Sequence, residues 1–172
     1  MEQAKKILKE WVIPLALEAT VVILFIKFVV FLAVVPTGSM FPTVAEGSWH
    51  VTTRMYNPEK NVNRGDIIVF YSDELEKVLF KRCIGLPGEA VQVKEDGKVY
   101  INGEYLEEPY VIFPSEDARD FQVPEGCYLF LGDNRAGSDD ARFWNDPYVS
   151  GDKIMGEARF TIFPFNDFGV LH

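Results

Sequence analysis

One continuous apolar run, Trp11 to Val35 (WVIPLALEATVVILFIKFVVFLAVV), constrains this chain more than any other feature. As a helix, twenty-odd residues rise roughly 30–36 Å, enough to cross a hydrocarbon core of about 30 Å. Glu18 and Lys27 interrupt the run. A charge at mid-bilayer costs about 2.5–3.5 kcal/mol, less where the side chain reaches a headgroup. Glu18 sits near the N-terminal end and has that escape; Lys27 is deeper and is the weaker point. The run is longer than the roughly 7–15 apolar residues of a cleaved secretory signal, and no small-x-small site follows it cleanly. An uncleaved signal anchor is expected. Lys5, Lys6 and Lys9 precede it, which favours a cytoplasmic N-terminus and places the remainder outside the cytoplasm. The expected organisation is a cytoplasmic N-terminus (1–11), a transmembrane anchor (12–35) and one extracytoplasmic domain (36–172).

Beyond the anchor the apolar runs become short and are broken by Gly, Pro, Asn and Asp. Residues 47–53, 67–71, 77–84, 90–93, 98–101, 128–131 and 157–163 read as strands, β-branched or aromatic and bounded by turn formers. Asp96-Gly97 and Asn102-Gly103 are hairpin signals. Residues 107–120 are acidic and proline-interrupted, without period, and read as a loop. No helical pattern outside the anchor exceeds about two turns. The expected fold class is mainly β, an antiparallel sandwich or barrel-like domain behind one N-terminal transmembrane helix.

Charge narrows the partners. Residues 36–172 hold 13 Lys+Arg against 23 Asp+Glu. That balance argues against nucleic acid, which needs a concentrated positive field, and against electrostatic adhesion to anionic lipid. Cys83 and Cys127 can pair outside the cell or remain buried free thiols; spacing alone leaves both open.

Four pieces carry chemistry. Ser39 lies four residues past the apolar run, in Pro36-Thr37-Gly38-Ser39-Met40-Phe41-Pro42-Thr43. Gly38 permits a tight path that lifts the hydroxyl, although an ordinary turn after the membrane explains the tetrapeptide too. A hydroxyl needs a base before it attacks, and with only two histidines in the chain a lysine partner is the natural one. Lys81 is embedded in Val78-Leu79-Phe80 and Cys83-Ile84. Burial disfavours its ammonium and makes it a general base near neutral pH; an edge-strand lysine that blocks aggregation is the alternative. Ser138, in Gly132-Asp133-Asn134-Arg135-Ala136-Gly137-Ser138-Asp139-Asp140-Ala141-Arg142, can orient that amine. The aspartates Asp133, Asp139 and Asp140 resemble oxygen ligands, but their spacing is not that of a calcium loop, and Arg135 and Arg142 oppose a cation. The Ser39 N–H and the Thr37 hydroxyl are the candidate oxyanion donors. His50 is expected to be a hydrogen-bonded structural histidine, and His172 a frayed terminus.

These boxes, together with Arg64 to Phe70 (RGDIIVF) and Lys81 to Glu89 (KRCIGLPGE), closely resemble the type I signal peptidase family in the shorter form typical of Gram-positive bacteria. Each box alone is weak; their order and spacing along the whole chain are specific. The resemblance implies a membrane-bound serine endopeptidase that removes signal peptides from exported preproteins, with no metal and no cofactor. It implies Ser39 as nucleophile, Lys81 as general base and Ser138 as the residue that hydrogen-bonds the base. It also implies Thr37 in the oxyanion hole, and Asp140 with Arg142 as a structural ion pair. The partners it implies are signal peptides, the bilayer of the cell membrane and the secretion translocon. Val34, Val35, Pro36, Met40 and Phe80 are the candidate lining of the shallow pockets for small substrate side chains. Ala141 stands where many members have serine, and the two cysteines occupy positions that are often something else. Two other readings stay open at this stage: a self-cleaving serine–lysine protease, and a non-enzymatic anchored β domain for adhesion or assembly.

Overall fold

The computed structural model describes residues 2–171, so Met1 and His172 lie outside the described residues. The chain divides after Phe31 into two compact units. In the first, helix α1 (Glu2–Ile7) continues through a π-helical stretch (Leu8–Val12) into α2 (Ile13–Phe28). Pro14 lies inside this continuous helix, directly after the π-helical stretch, and has no N–H to give to the preceding turn. The 24 residues Lys5–Phe28 are long and apolar enough to cross a membrane by length and composition. The described side chains of α2 are exposed on every face, which suits a lipid surround better than a one-sided core contact.

The helix stops at Phe28, seven residues short of the end of the apolar run, and Val30–Val34 form a strand, β1. Val29 to Val35 is apolar throughout and rich in valine, so its period does not separate helix from strand. Pairing of β1 with β2 (Trp49–Arg54) decides it.

The second unit is antiparallel β, as its short alternating runs predict. After a one-turn helix α3 (Pro58–Asn61) come β3 (Ile67–Ser72), β4 (Lys77–Gly85), β5 (Ala90–Val93), β6 (Val99–Ile101) and β7 (Glu104–Leu106). They are followed by β8 (Arg119–Gln122), β9 (Cys127–Leu131), β10 (Tyr148–Ser150), β11 (Ile154–Phe163) and β12 (Gly169–Val170). The large sheet runs β1-β2-β11-β3-β4-β9-β10 with β12 on β11, and the small one runs β7-β6-β5-β8. Asn102 and Gly103 both take positive φ (52° and 87°), the conformation a two-residue hairpin turn needs between β6 and β7.

Two parts of the reading change. Arg119 and Asp120, expected at the end of a loop, belong to β8, where Phe121 opposes Val91 and Arg119 opposes Val93. With one buried apolar residue in the strand, its alternation was too faint to see. The lysine strand is also no edge. β4 pairs with β3 on one side and β9 on the other, with Lys81 opposite Ile68. The core joins both sheets: Phe70 stacks on Phe130 with centroids 4.5 Å apart, and Val91, Val99 and Phe121 of the small sheet pack into the same cluster. Cys83 is buried in that cluster; Cys83 and Cys127 are both free thiols.

Candidate active site

Alternation along β4 sends Leu79, Lys81 and Cys83 to one face and Phe80 and Arg82 to the other. Leu79 and Cys83 lie in the core cluster, so Lys81 shares its face of the strand with core residues, and it is only 1 % exposed. Burial pulls its pKa from 10.5 down to about 8; Asp140 and Asp139 pull the other way and lose. Lys81 Nζ donates to Ser138 Oγ at 2.8 Å. Ser138 is itself buried, at the end of the 3-10 turn Arg135–Gly137 that follows β9.

That shift is also a stability statement. Below pH 8 the folded protein holds a buried ammonium that the unfolded chain leaves in water, a cost of about 3 kcal/mol. Between pH 8 and 10.5 the folded amine is neutral while the unfolded one is charged, so the cost fades as pH rises. Lys81→Met is therefore expected to be inactive yet more stable than wild type at pH 7, by about 2–3 kcal/mol by denaturant titration. The advantage should shrink toward pH 10.5; a variant less stable at pH 7 would contradict this account.

Ser39 lies in the 3-10 turn Gly38–Met40, between Thr37 in extended conformation and the extended Phe41. This turn packs against β4 and against the Arg135–Gly137 turn. Thr37 Oγ1 donates to Ser39 Oγ at 3.2 Å. Asn134 clamps the turn from the other loop, its N–H on the Ser39 carbonyl (3.1 Å) and its Nδ2 on the Gly38 carbonyl (3.2 Å). Gly132 is the pivot of the arrangement. A Cβ there would press on the Ser39 carbonyl oxygen and on the Ser138 side chain, so only glycine lets the two approach.

Ion pairs fix the second loop. Asp140 accepts from Arg142 Nε (2.8 Å) and Nη2 (3.0 Å) and from the Gly132 N–H (2.9 Å). Burial pushes the Asp140 carboxyl up, but the Arg142 hydrogen bonds and charge, the Gly132 N–H and Lys81 together hold it below 3.8. Asp133 is taken by Arg82 in a two-pronged pair (2.8 and 2.6 Å), and Asp139 accepts from Trp144 Nε1 (3.0 Å). All three aspartates considered as oxygen ligands thus have protein donors. No group of three or more His, Cys, Asp or Glu with metal-holding geometry occurs among the described residues.

Several supporting residues escaped the sequence reading. Arg135 pairs with Glu108 (3.0 and 2.6 Å), Tyr110 donates to the same carboxylate (2.7 Å), and Arg82 lies over the Tyr110 ring at 3.9 Å. Arg119 donates to the carbonyls of Ala141, Arg142 and Trp144. The acidic segment read as a loop therefore braces the site loop. The one available signal was Arg82, a second charge on an apolar strand, which must find a partner when buried.

Of the candidate pocket residues, Val35, Met40 and Phe80 are almost wholly covered (2, 0 and 3 % exposed), whereas Val34 and Pro36 are exposed. His50 is buried and its pKa lowered by burial. Ser48 Oγ donates to the Ala45 carbonyl, so it accepts from His50 Nε2 (2.6 Å), and Nδ1 is left to accept from Thr161 Oγ1 (3.2 Å). It is a satisfied structural histidine, as expected.

The family model described as signal peptidase, peptidase S26, matches residues 8–163. A signal peptidase I of Bacillus amyloliquefaciens is 32 % identical, covering 92 % of this chain and 86 % of that protein. One from Leptolyngbya laminosa is 39 % identical over 80 % of this chain and 70 % of its own. A crystal structure of a signal peptidase I from Enterococcus faecalis V583 superposes with a TM-score of 0.49 at 35 % identity, over 57 % of this chain and 97 % of that one.

Proposed function

The chain belongs to the signal peptidase family, peptidase S26, a family of serine endopeptidases, and from that membership we propose that it cleaves signal peptides from preproteins with a Ser39–Lys81 pair. One contact carries the proposal: the buried Lys81 amine, held by Ser138 at 2.8 Å. A neutral amine spends one N–H on Ser138 and keeps its lone pair for the Ser39 proton. Ser39 Oγ then attacks the scissile carbonyl. Charge develops on that oxygen, and the donors within reach are the Ser39 N–H and the Thr37 hydroxyl, which leaves Ser39 Oγ as that atom becomes an ester oxygen. Lys81, now an ammonium, protonates the leaving amine, and water entering in its place is deprotonated by the same Nζ to hydrolyse the acyl-enzyme.

Asp140, Arg142 and Asn134 hold the two loops in register and touch no reacting atom. The exposed Val34 and Pro36 are the pocket candidates with surface to offer a substrate. The apolar helix Lys5–Phe28 serves as a single-pass anchor in the cell membrane, with Lys5, Lys6 and Lys9 supporting a cytoplasmic N-terminus. Signal peptides enter that same bilayer, and the short covalent link to Ser39 suits substrates delivered there by the secretion translocon.

The test is cleavage in trans. Purified full-length protein is incubated with a preprotein bearing small residues one and three positions before the expected cut, and the products are weighed by mass spectrometry. A single cut at that position is expected, lost when either small residue becomes leucine. Cleavage of the chain itself, or no proteolysis, would overturn the reading in favour of a self-cleaving protease or a non-enzymatic domain.

A further inference from the structure

We propose, given the peptidase reading, that Phe41 and Phe113 form an aromatic subsite on the leaving-group side of the scissile bond, where it selects a large apolar substrate side chain. The two rings stack with centroids 6.0 Å apart and planes 25° from parallel, yet they stay 45 % and 41 % exposed. The same domain covers Phe70 and Phe130 completely. A paired aromatic surface left open beside a reactive group is an apolar platform without a partner inside the chain.

Both rings are tied to the nucleophile's own backbone. Phe41 is two residues past Ser39 and its N–H bonds the Gly38 carbonyl at 3.1 Å. Phe113 forms a parallel bridge with Asn134, and its carbonyl accepts from the Ala136 N–H at 3.1 Å. Asn134 in turn holds the carbonyls of Gly38 and Ser39. Each ring is thus one or two hydrogen bonds from the reacting turn, which fixes the platform against the chemistry.

Proton traffic decides the side. The leaving nitrogen must take its proton from Lys81 Nζ, and Nζ lies against Ser138. The loop from Gly132 to Ser138 therefore flanks the leaving group, and Phe113 is fastened to that loop at Asn134 and Ala136. Val34 and Pro36 precede Ser39 and remain for the acyl side. An extended substrate turns alternate side chains to opposite faces, so one of the first two residues past the cut faces the platform. Filling or emptying an apolar subsite changes kcat/KM by about 10–200-fold.

The experiment uses the full-length chain in detergent micelles and preproteins carrying Gly, Ser, Leu or Phe at the first and second positions past the cut. At one of the two positions, kcat/KM for Phe or Leu is expected to exceed that for Gly about tenfold. In Phe41→Ala and in Phe113→Ala, two separate variants, that ratio is expected to fall to about one. The ratio is taken within each variant, so a general loss of rate or folded protein cancels. Absence of discrimination in the wild type, or a ratio that survives both substitutions, overturns the subsite and leaves the rings as a loop staple while the peptidase reading stands. If wild type cuts no preprotein at all, the peptidase reading falls and the subsite with it.

Discussion

Ser39→Ala and Lys81→Ala should each lower kcat for preprotein cleavage by at least about 10⁴-fold, and the double variant should be no worse than either single one. In the proposed mechanism nucleophile and base act as one unit: without the amine the serine proton has no acceptor, and without the serine the amine has nothing to activate. The fold should persist in both, because each change removes atoms and leaves no buried charge unpaired. The pH dependence of wild type has a defined sign. In the proposed mechanism the active form is the neutral amine, so kcat/KM should rise about tenfold per pH unit below pH 8 and level off above it, following the pKa of about 8 set by burial. The check is a pH–rate profile with a single preprotein, alongside circular dichroism of each variant. Substantial turnover by Lys81→Ala, or a rate that falls from pH 6 to 8, would exclude Lys81 as the base.

Asp140→Asn should cause the largest loss of stability of any isosteric change at the site, about 3–5 kcal/mol. The carboxylate is fully buried, and Arg142 is only 6 % exposed. An amide offers one acceptor where the carboxylate uses two, and its NH2 would face the donors on Gly132 and Arg142. The guanidinium would then be buried without its counter-charge. Against a usual domain stability of about 5–15 kcal/mol the loss is severe, and the urea midpoint measures it. Two pH signatures separate this from nonspecific damage. Asp140 has a depressed pKa, so its contribution is complete above 3.8 and is lost as pH falls below that value. Acid destabilisation of the variant should accordingly be shallower than that of wild type. Asp140 also raises the Lys81 pKa, so removing its charge should move the activity limb of the folded fraction below pH 8. A limb that stays put or moves up would show that Asp140 does not act on the base.

How much of the fold is legible in the sequence depends on how local each cause is. The strands at 67–71, 77–84 and 128–131 announce themselves because their apolar residues and bounding turns lie within a few positions. Asn102-Gly103 did the same for a hairpin, since positive φ at consecutive residues has few residue types to choose from. β8 was hidden because its single buried residue, Phe121, gains meaning only opposite Val91. The bracing by Glu108, Tyr110 and Arg119 was hidden for a related reason: an acidic, proline-broken stretch looks solvated until its carboxylate is seen beside a buried arginine. Which of the pocket candidates keep exposed surface was not legible, because Met40 and Phe80 differ from Val34 in exposure, which no local pattern encodes.

Order, spacing and residue chemistry along the chain were enough to establish an apolar helix at the N-terminus, a β domain behind it, and a serine, a lysine and a second serine in separate boxes. Whether that lysine carries a proton at neutral pH was decided only by the fold. Its pKa depends on how much water the neighbours exclude, and those neighbours come from β3, β9 and a loop 57 residues away. Desolvation belongs to the packed interior, and no stretch of chain possesses it before the sheets close around it.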